Sequence, residues 1–305
     1  MSVAQLIREG HTGLARVACL IGGAVWGLYW IPLRSLDAAG ISGIWATALI
    51  HLIPLVLIVP LTLSRRSQWR SSGWALQATG ASMGLAILLY STAFLYTDVV
   101  HAILLYYLTP IWGALFGRIW LKEQITKDRH FAIVLGLIGM MIILDIDQGF
   151  PWPRNIGDWM ALCSGVIWAL AATLTRRFPQ QNPLDIVSAW FIWSCVVGVL
   201  GGIIFQGTHS LPNGPTISGE LIWLVPTTLL VVLPIYLAIT WGLPQLNPGT
   251  SGLLFMTEIS VGAIAAAVLT DEPFGLREWA GVILISLAGL AEVLLPRARA
   301  FFQMR

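Results

Sequence analysis

A chain of 305 residues that is 57% hydrophobic and only 10% charged carries more apolar surface than a water-soluble domain, in which about 25% of residues are charged, can bury. Its formal net charge is +2. There is no H-E-x-x-H, and the two lysines, Lys122 and Lys127, sit in no phosphate-binding G-x-x-x-x-G-K motif, so an ATP-driven pump in this chain is excluded.

Apolar runs of about 20 residues, enough to cross about 30 Å of hydrocarbon as helices, recur along the chain. They predict an all-α integral membrane protein of ten transmembrane helices. The first span, 14–35, contains GAVWGLYWIPLR (Gly23–Arg34), in which Trp26 and Trp30 lie one helical turn apart on one face. It ends in IPLRSL with no small-residue cleavage site, so it reads as part of the fold and not as a signal peptide. The second span, 42–63, carries His51 with Pro54 one turn on. A histidine there is either a proton relay or a satisfied packing residue. The third, 74–96, contains GASMG (Gly80–Gly84). This matches the G-x-S-x-G of serine hydrolases, which requires a strand, a sharp turn and a helix. Inside a membrane helix it reads instead as a small-residue packing face, as do Gly23/Gly27, Gly113/Gly117 and Gly198/Gly202. Tyr90 lies deep in this span.

The fourth span, 99–121, is only weakly separated from the third. It holds Tyr106, Tyr107, Thr109 and Pro110 and breaks into charge at Lys122 and Glu123. After the fifth, 130–147, comes a Pro- and Gly-rich loop, DIDQGFPWPRNIGD. The sixth, 157–177, holds Trp168; the seventh is 184–205; a second turn-rich loop, QGTHSLPNGPTISGE, leads to the eighth, 219–241, with Tyr236. Prolines 32, 54, 110, 226 and 234 each remove a backbone donor and are expected to kink their helices. The ninth span, 249–270, has Glu258 near its middle and Glu272 just beyond it, and the tenth is 278–295. All three cysteines, Cys19, Cys163 and Cys195, fall inside spans, so no disulfide framework is indicated.

Orientation follows from the basic residues. With both termini cytoplasmic, the inner segments hold Arg8, Arg16, Arg65, Arg66, Arg70, Arg118, Lys122, Lys127, Arg129, Arg176, Arg177, Arg297, Arg299 and Arg305, against Arg34, Arg154 and Arg277 outside. Short loops retain arginine and lysine on the cytoplasmic side, and losing one helix would scramble the alternation.

The chain also repeats itself. Gly23–Arg34 aligns without a gap on GVIWALAATLTR (Gly165–Arg176), pairing Trp26 with Trp168 and Arg34 with Arg176. LTPIWGALFGRIWLKE aligns on TEISVGAIAAAVLTDE, pairing Glu123 with Glu272 and Thr109 with Glu258. Two such matches predict five-helix units over 1–148 and 149–305. Because five is odd, the second unit enters the membrane from the opposite side, the inverted plan of many secondary transporters with a midplane site between the halves.

Here the sequence resembles the ten-helix, EamA-type members of the drug/metabolite transporter superfamily. Pro110 with Glu123, and Glu258 with Glu272, match the proline–glutamate pattern of that family's fourth and ninth helices, except that Ile259 stands where a proline is usual. Trp26-Gly27 matches a pair in its first helix. The resemblance implies alternating-access transport, with export as the direction.

Of the candidate substrate-binding or coupling residues, Glu258 is foremost. A charge at the midplane costs about 2.5–3.5 kcal/mol on insertion scales, so such residues usually face a cavity and act. It would hold an ammonium group or exchange a proton, or else pack as a hydrogen-bonded acid against Thr257 or Thr109. Thr109, Trp26, Trp30, Trp168, Tyr90, Tyr106, Tyr107, Tyr236 and His51 complete the set, with helix packing the alternative for each. Glu123 and Glu272 lie at helix C-termini, where the macrodipole opposes negative charge, so a bracing partner is expected for both, with Pro110 part of the same motif. The expected function is secondary export of small organic metabolites (amino acids, amines or drugs), with protons as a candidate coupling ion. The alternatives are an uncoupled facilitator, an intramembrane enzyme or a non-transporting sensor. Enzyme activity, a cofactor, a metal and a nucleic-acid partner are not expected; the partners are the lipid bilayer and the solute. The compact, loop-poor build suggests a bacterial inner membrane.

Overall fold

A computed structural model describes residues 3–41, 43–94, 96–97, 99–143, 152–207, 211–269 and 274–302. Ten helical rods, and no strand, occur among these residues. The first rod is α1 (Val3–Trp26) followed by α2 (Trp30–Ala38); α3 (Gly43–Ser64) and α4 (Arg66–Ala93) are next. The fourth is split into α5 (Val99–Tyr106) and α6 (Thr109–Trp120), and α7 (Lys127–Ile143) is the fifth. Then come α8 (Ile156–Arg177) and α9 (Pro183–Gly201), and an eighth rod of α10 (Gly214–Thr227) and α11 (Leu233–Gly242) joined by a π-helical turn. The ninth is α12 (Pro248–Phe255) with α13 (Thr257–Leu269), and the tenth is α14 (Leu276–Phe302). Seven of these rods are long and apolar enough to cross a bilayer by length and composition. The other three are α4, α7 and α14. At 17 residues α7 is short, and α4 is rich in small and polar residues because it is wedged between α8 and α9.

The starts of the later helices are written in asparagine. Asn155, Asn182, Asn213 and Asn247 each turn a side-chain oxygen onto a backbone N–H of the first turn of α8, α9, α10 and α12. A proline in the first turn of α9, α10 and α12 lacks the N–H that would be left over there.

The interruptions have local causes. Pro32 has no N–H for the Leu28 carbonyl; Ile31 takes it instead at 3.1 Å, and the chain turns through Gly27–Tyr29. Pro110 likewise leaves the Tyr106 carbonyl, which the Thr109 hydroxyl takes at 2.5 Å. Pro234 lies in the first turn of α11, two residues past the end of the π-helical turn Thr228–Val232. Pro54 and Pro60, by contrast, lie inside an uninterrupted α3, and Pro226 inside α10. The ninth rod breaks at Met256 with no proline, because the Thr257 hydroxyl caps the Leu254 carbonyl at 2.9 Å and also reaches the Leu20 carbonyl at 2.9 Å. By role, Thr257 is therefore the counterpart of Thr109, which shifts the expected pairing of Thr109 with Glu258 by one residue.

The first helix of each half lies among helices of the other half. α8 packs on α4, α5 and α6, and α1 packs on α11, α12 and α13. The contacts correspond closely. A Cβ on Gly23 would meet the Phe255 carbonyl at 2.9 Å and the Thr257 hydroxyl; one on Gly165 would meet the Tyr106 carbonyl and the Thr109 hydroxyl. Gly80 and Gly84, the hydrolase-like motif, are helical and press on Ala189 and Ser194 of α9.

Candidate functional site

The aromatic residues converge between these two groups of helices. Trp26 meets Trp168 edge to face at 5.0 Å between centroids and Phe255 at 5.2 Å; Trp168 meets Trp190 at 5.4 Å; Trp190 stacks on Tyr236 at 4.1 Å. On the other side Tyr90 lies against Tyr106 at 4.3 Å and Phe94 at 4.9 Å. Such offset and edge-to-face pairs are the preferred geometries of aromatic rings. They enclose a cavity of about 70 Å³ whose lining includes Trp26, Tyr29, Tyr90, Tyr106, Trp168, Tyr236 and Glu258. It continues past Leu33 and Phe94, toward the end of the bundle remote from Arg65 and Arg176. Small-molecule sites usually enclose about 300–1,000 Å³, so the site is seen contracted, and a solute needs its walls to separate.

Among the described residues Glu258 is the one acidic group in this lining, and no basic side chain shares it. The carboxylate sits in the first turn of α13, where backbone N–H groups favour negative charge. Its hydrogen-bond donor is the Tyr107 hydroxyl, which also approaches the Phe255 carbonyl at 3.4 Å. Neither Thr257 nor Thr109, the partners considered from sequence, holds it. The α13 backbone is reached by Gly27, whose added Cβ would lie 2.6 Å from the Glu258 carbonyl and 2.8 Å from the Gly262 nitrogen. The turn that ends α1 thus fixes the height of the acid.

Of the residues expected at the site, Trp26, Trp168, Tyr90, Tyr106, Tyr236 and Glu258 line the cavity. Tyr107 stands behind it, on the carboxylate. Thr109 does not reach it, because its hydroxyl bonds Tyr106 within its own turn. His51 does not line it either. The ring is fully buried, with Nδ1 donating to the Thr47 carbonyl at 2.7 Å and Nε2 accepting from the Tyr236 hydroxyl at 3.1 Å. It is the satisfied histidine, positioning Tyr236. Trp30 is also a correction. The turn at Gly27–Tyr29 takes it off the Trp26 face, and it lies under the Arg34 guanidinium at 5.0 Å. Tyr29 takes its place in the wall. Glu272 lies outside the described residues.

Sequence reasoning missed Tyr29, Thr47, Phe94 and Trp190. Tyr29 follows Trp26 by three residues, the spacing that would have found it. The buried Tyr29 hydroxyl and Thr47 Oγ1 make no hydrogen bond among the described residues, although such atoms nearly always have a partner.

The arginine-bearing end of the bundle is tied shut. Arg65 makes a bidentate bond to Asp185, Nε to Oδ1 at 2.8 Å and Nη2 to Oδ2 at 2.9 Å, linking the end of α3 to the start of α9. These bonds, and then the Asp185 charge, raise the pKa of the guanidinium above its ordinary value. Arg176 joins Nε to Glu123 at 3.0 Å and Nη1 to the Pro244 carbonyl at 2.8 Å, while Asn247 Nδ2 bonds the same Glu123. Lys122 adopts φ 55°, which lets the Glu123 N–H turn back to the Gly117 carbonyl at 3.0 Å. The basic neighbour expected for Glu123 is therefore Arg176. At the opposite end the buried Asp158 accepts from the Thr97 hydroxyl and the Arg154 N–H.

The EamA-like transporter family model matches the chain twice, over residues 14–145 and 155–293. Among curated proteins it is similar to an uncharacterized transporter of Bacillus subtilis, 24% identical over 57% of this chain and 59% of that one. It is also similar to a riboflavin transporter of Vibrio cholerae, 22% identical over 57% and 56%. A riboflavin transporter of Rhizobium johnstonii is 26% identical over 39% and 38%. The chain thus spans little more than half the length of the curated relatives it matches, and less of the third. A crystal structure of another protein superposes with a TM-score of 0.71 at 18% identity, over 94% of this chain and 98% of that one, a likeness of fold alone. Apolar rods interrupted around a buried carboxylate, and a family model fitted to both halves, lead to one conclusion: this chain belongs to the EamA-like transporter family, whose fold is an integral, multi-pass bundle of membrane helices.

Proposed function

We propose that the protein is a secondary exporter of small, flat organic metabolites (amino acids, amines or drugs), working by alternating access between two inverted five-helix units, 1–148 and 149–305. The observation that carries this reading is the placement of Glu258 as the single charge, among the described residues, in an aromatic-walled cavity. A basic nitrogen of the solute would meet the carboxylate, ring faces would hold its plane, and Tyr29 and Thr47 would meet its polar far end. Flat heteroaromatic solutes suit such walls, in keeping with the relatives named as riboflavin transporters. The exchange of first helices between halves supports the inverted plan. The excess of arginine and lysine at one end supports cytoplasmic termini in a bacterial inner membrane.

Glu258 also serves as the coupling group, with proton and solute exchanging on the same carboxylate. The test is uptake of labelled metabolites into proteoliposomes with and without a proton gradient, for the wild type and for Glu258→Gln. The variant should insert normally, lose at least about tenfold in transport of a cationic solute, and lose the response to the gradient. Transport unchanged at every pH would leave Glu258 as a packing residue. Gradient-independent transport by the wild type would favour an uncoupled facilitator.

A further inference from the structure

A larger hollow lies outside the site, on the flank of the bundle where α4, α6 and α8 meet. It is a groove of about 650 Å³, floored by the small residues Ala78, Ala81 and Ser82 and walled by Leu170 and Leu174. Trp74, Trp120 and Arg177 stand at its arginine-bearing end. We infer that this groove binds one anionic phospholipid, with an acyl chain along α8 and the phosphate on Arg177. Three observations support that occupant.

The first is length. From Ile167 to Arg177 the α8 axis rises about 15 Å at about 1.5 Å per residue, half of the roughly 30 Å hydrocarbon layer. The groove is one leaflet deep. The second is charge. Among the described residues no carboxylate lines it and Arg177 has no acidic partner; its Nη1 makes a 3.4 Å contact to the Trp120 carbonyl. A planar guanidinium with unused donors fits a phosphate with two oxygens. The third is the rim. Trp74 is 70% exposed and packs edge to face on Phe178 at 5.5 Å, and Trp120 is 44% exposed. Tryptophans so placed sit at headgroup level, which puts Arg177 at the phosphate plane and the alanine floor among the acyl chains.

The experiment is native mass spectrometry of the full chain extracted from nanodiscs of phosphatidylcholine containing phosphatidylglycerol. The wild type should retain one phosphatidylglycerol in preference to phosphatidylcholine. Arg177→Gln should reduce that preference roughly fivefold, the factor that corresponds to about 1 kcal/mol per basic residue at a membrane surface. Ala81→Phe, which fills the floor and leaves the charge, should lose the retained lipid of either headgroup, and it provides an independent arm if the arginine variant folds poorly. Equal retention of the two lipids by the wild type, or wild-type retention in both variants, overturns the inference. So does a dimer whose formation Ala81→Phe abolishes, since the groove would then hold a second copy of this chain.

Discussion

A carboxylate surrounded by rings needs a donor aimed at it, and Tyr107 is that donor for Glu258. Tyr107→Phe keeps the ring and removes the hydroxyl. Hydrogen bonds to charged groups are worth about 1.5–3 kcal/mol, so solute binding or its pH dependence should shift by roughly tenfold or more while expression stays normal. A profile that overlays the wild type would mean the bond does not orient the acid. Glu258 was legible because a charge in an apolar run has few explanations. Trp30 misled because the helical spacing was carried through Gly27–Tyr29, where the chain turns. Thr47 carried no signal at all, since a threonine in an apolar span is ordinary until its neighbours are known.

Broken rods shape the site. The breaks at Pro32 and Pro110 were readable from the missing donors, whereas the one at Met256 was not, because a threonine hydroxyl does there what a proline usually forces. Glycine matters most where the turn after α1 meets α13. Gly27→Ala would place a Cβ against the Glu258 carbonyl and the Gly262 nitrogen, an overpacking that costs about 1–3 kcal/mol. Thermal unfolding of the purified variant should fall by several degrees, and transport should fall further than stability does, because the helix that moves carries the acid. An alanine at the exposed Gly219, which meets nothing within 4 Å, is the control.

For the molecule as a whole, the helix count and the apolar class could be read from periodicity, but the sealing of one end could not, because Arg65–Asp185 and Arg176–Glu123 join residues far apart in sequence. Breaking Arg176–Glu123 should favour opening at that end. Arg176→Gln and Glu123→Gln should each lower transport several-fold. A charge swap of the two should recover part of it, limited by the lost bond to the Pro244 carbonyl. Failure of the swap to improve on either single change would make the pair a passive brace. The inverted plan has its own check: a reporter after Arg70 should read cytoplasmic and one at Asn213 should read outside. A cytoplasmic signal at Asn213 would remove the odd-helix argument.

The contracted ring cluster has an optical consequence. Trp26, Trp168 and Trp190 lie with centroids 5.0–6.2 Å apart at fixed tilts, close enough for their electronic transitions to couple. Such a trio gives a strong near-ultraviolet circular dichroism that depends on its geometry. A solute that enters must push these rings apart, since about 70 Å³ cannot hold it. The spectrum should therefore change as each solute binds, and the unlabelled protein would report its own occupancy in a screen.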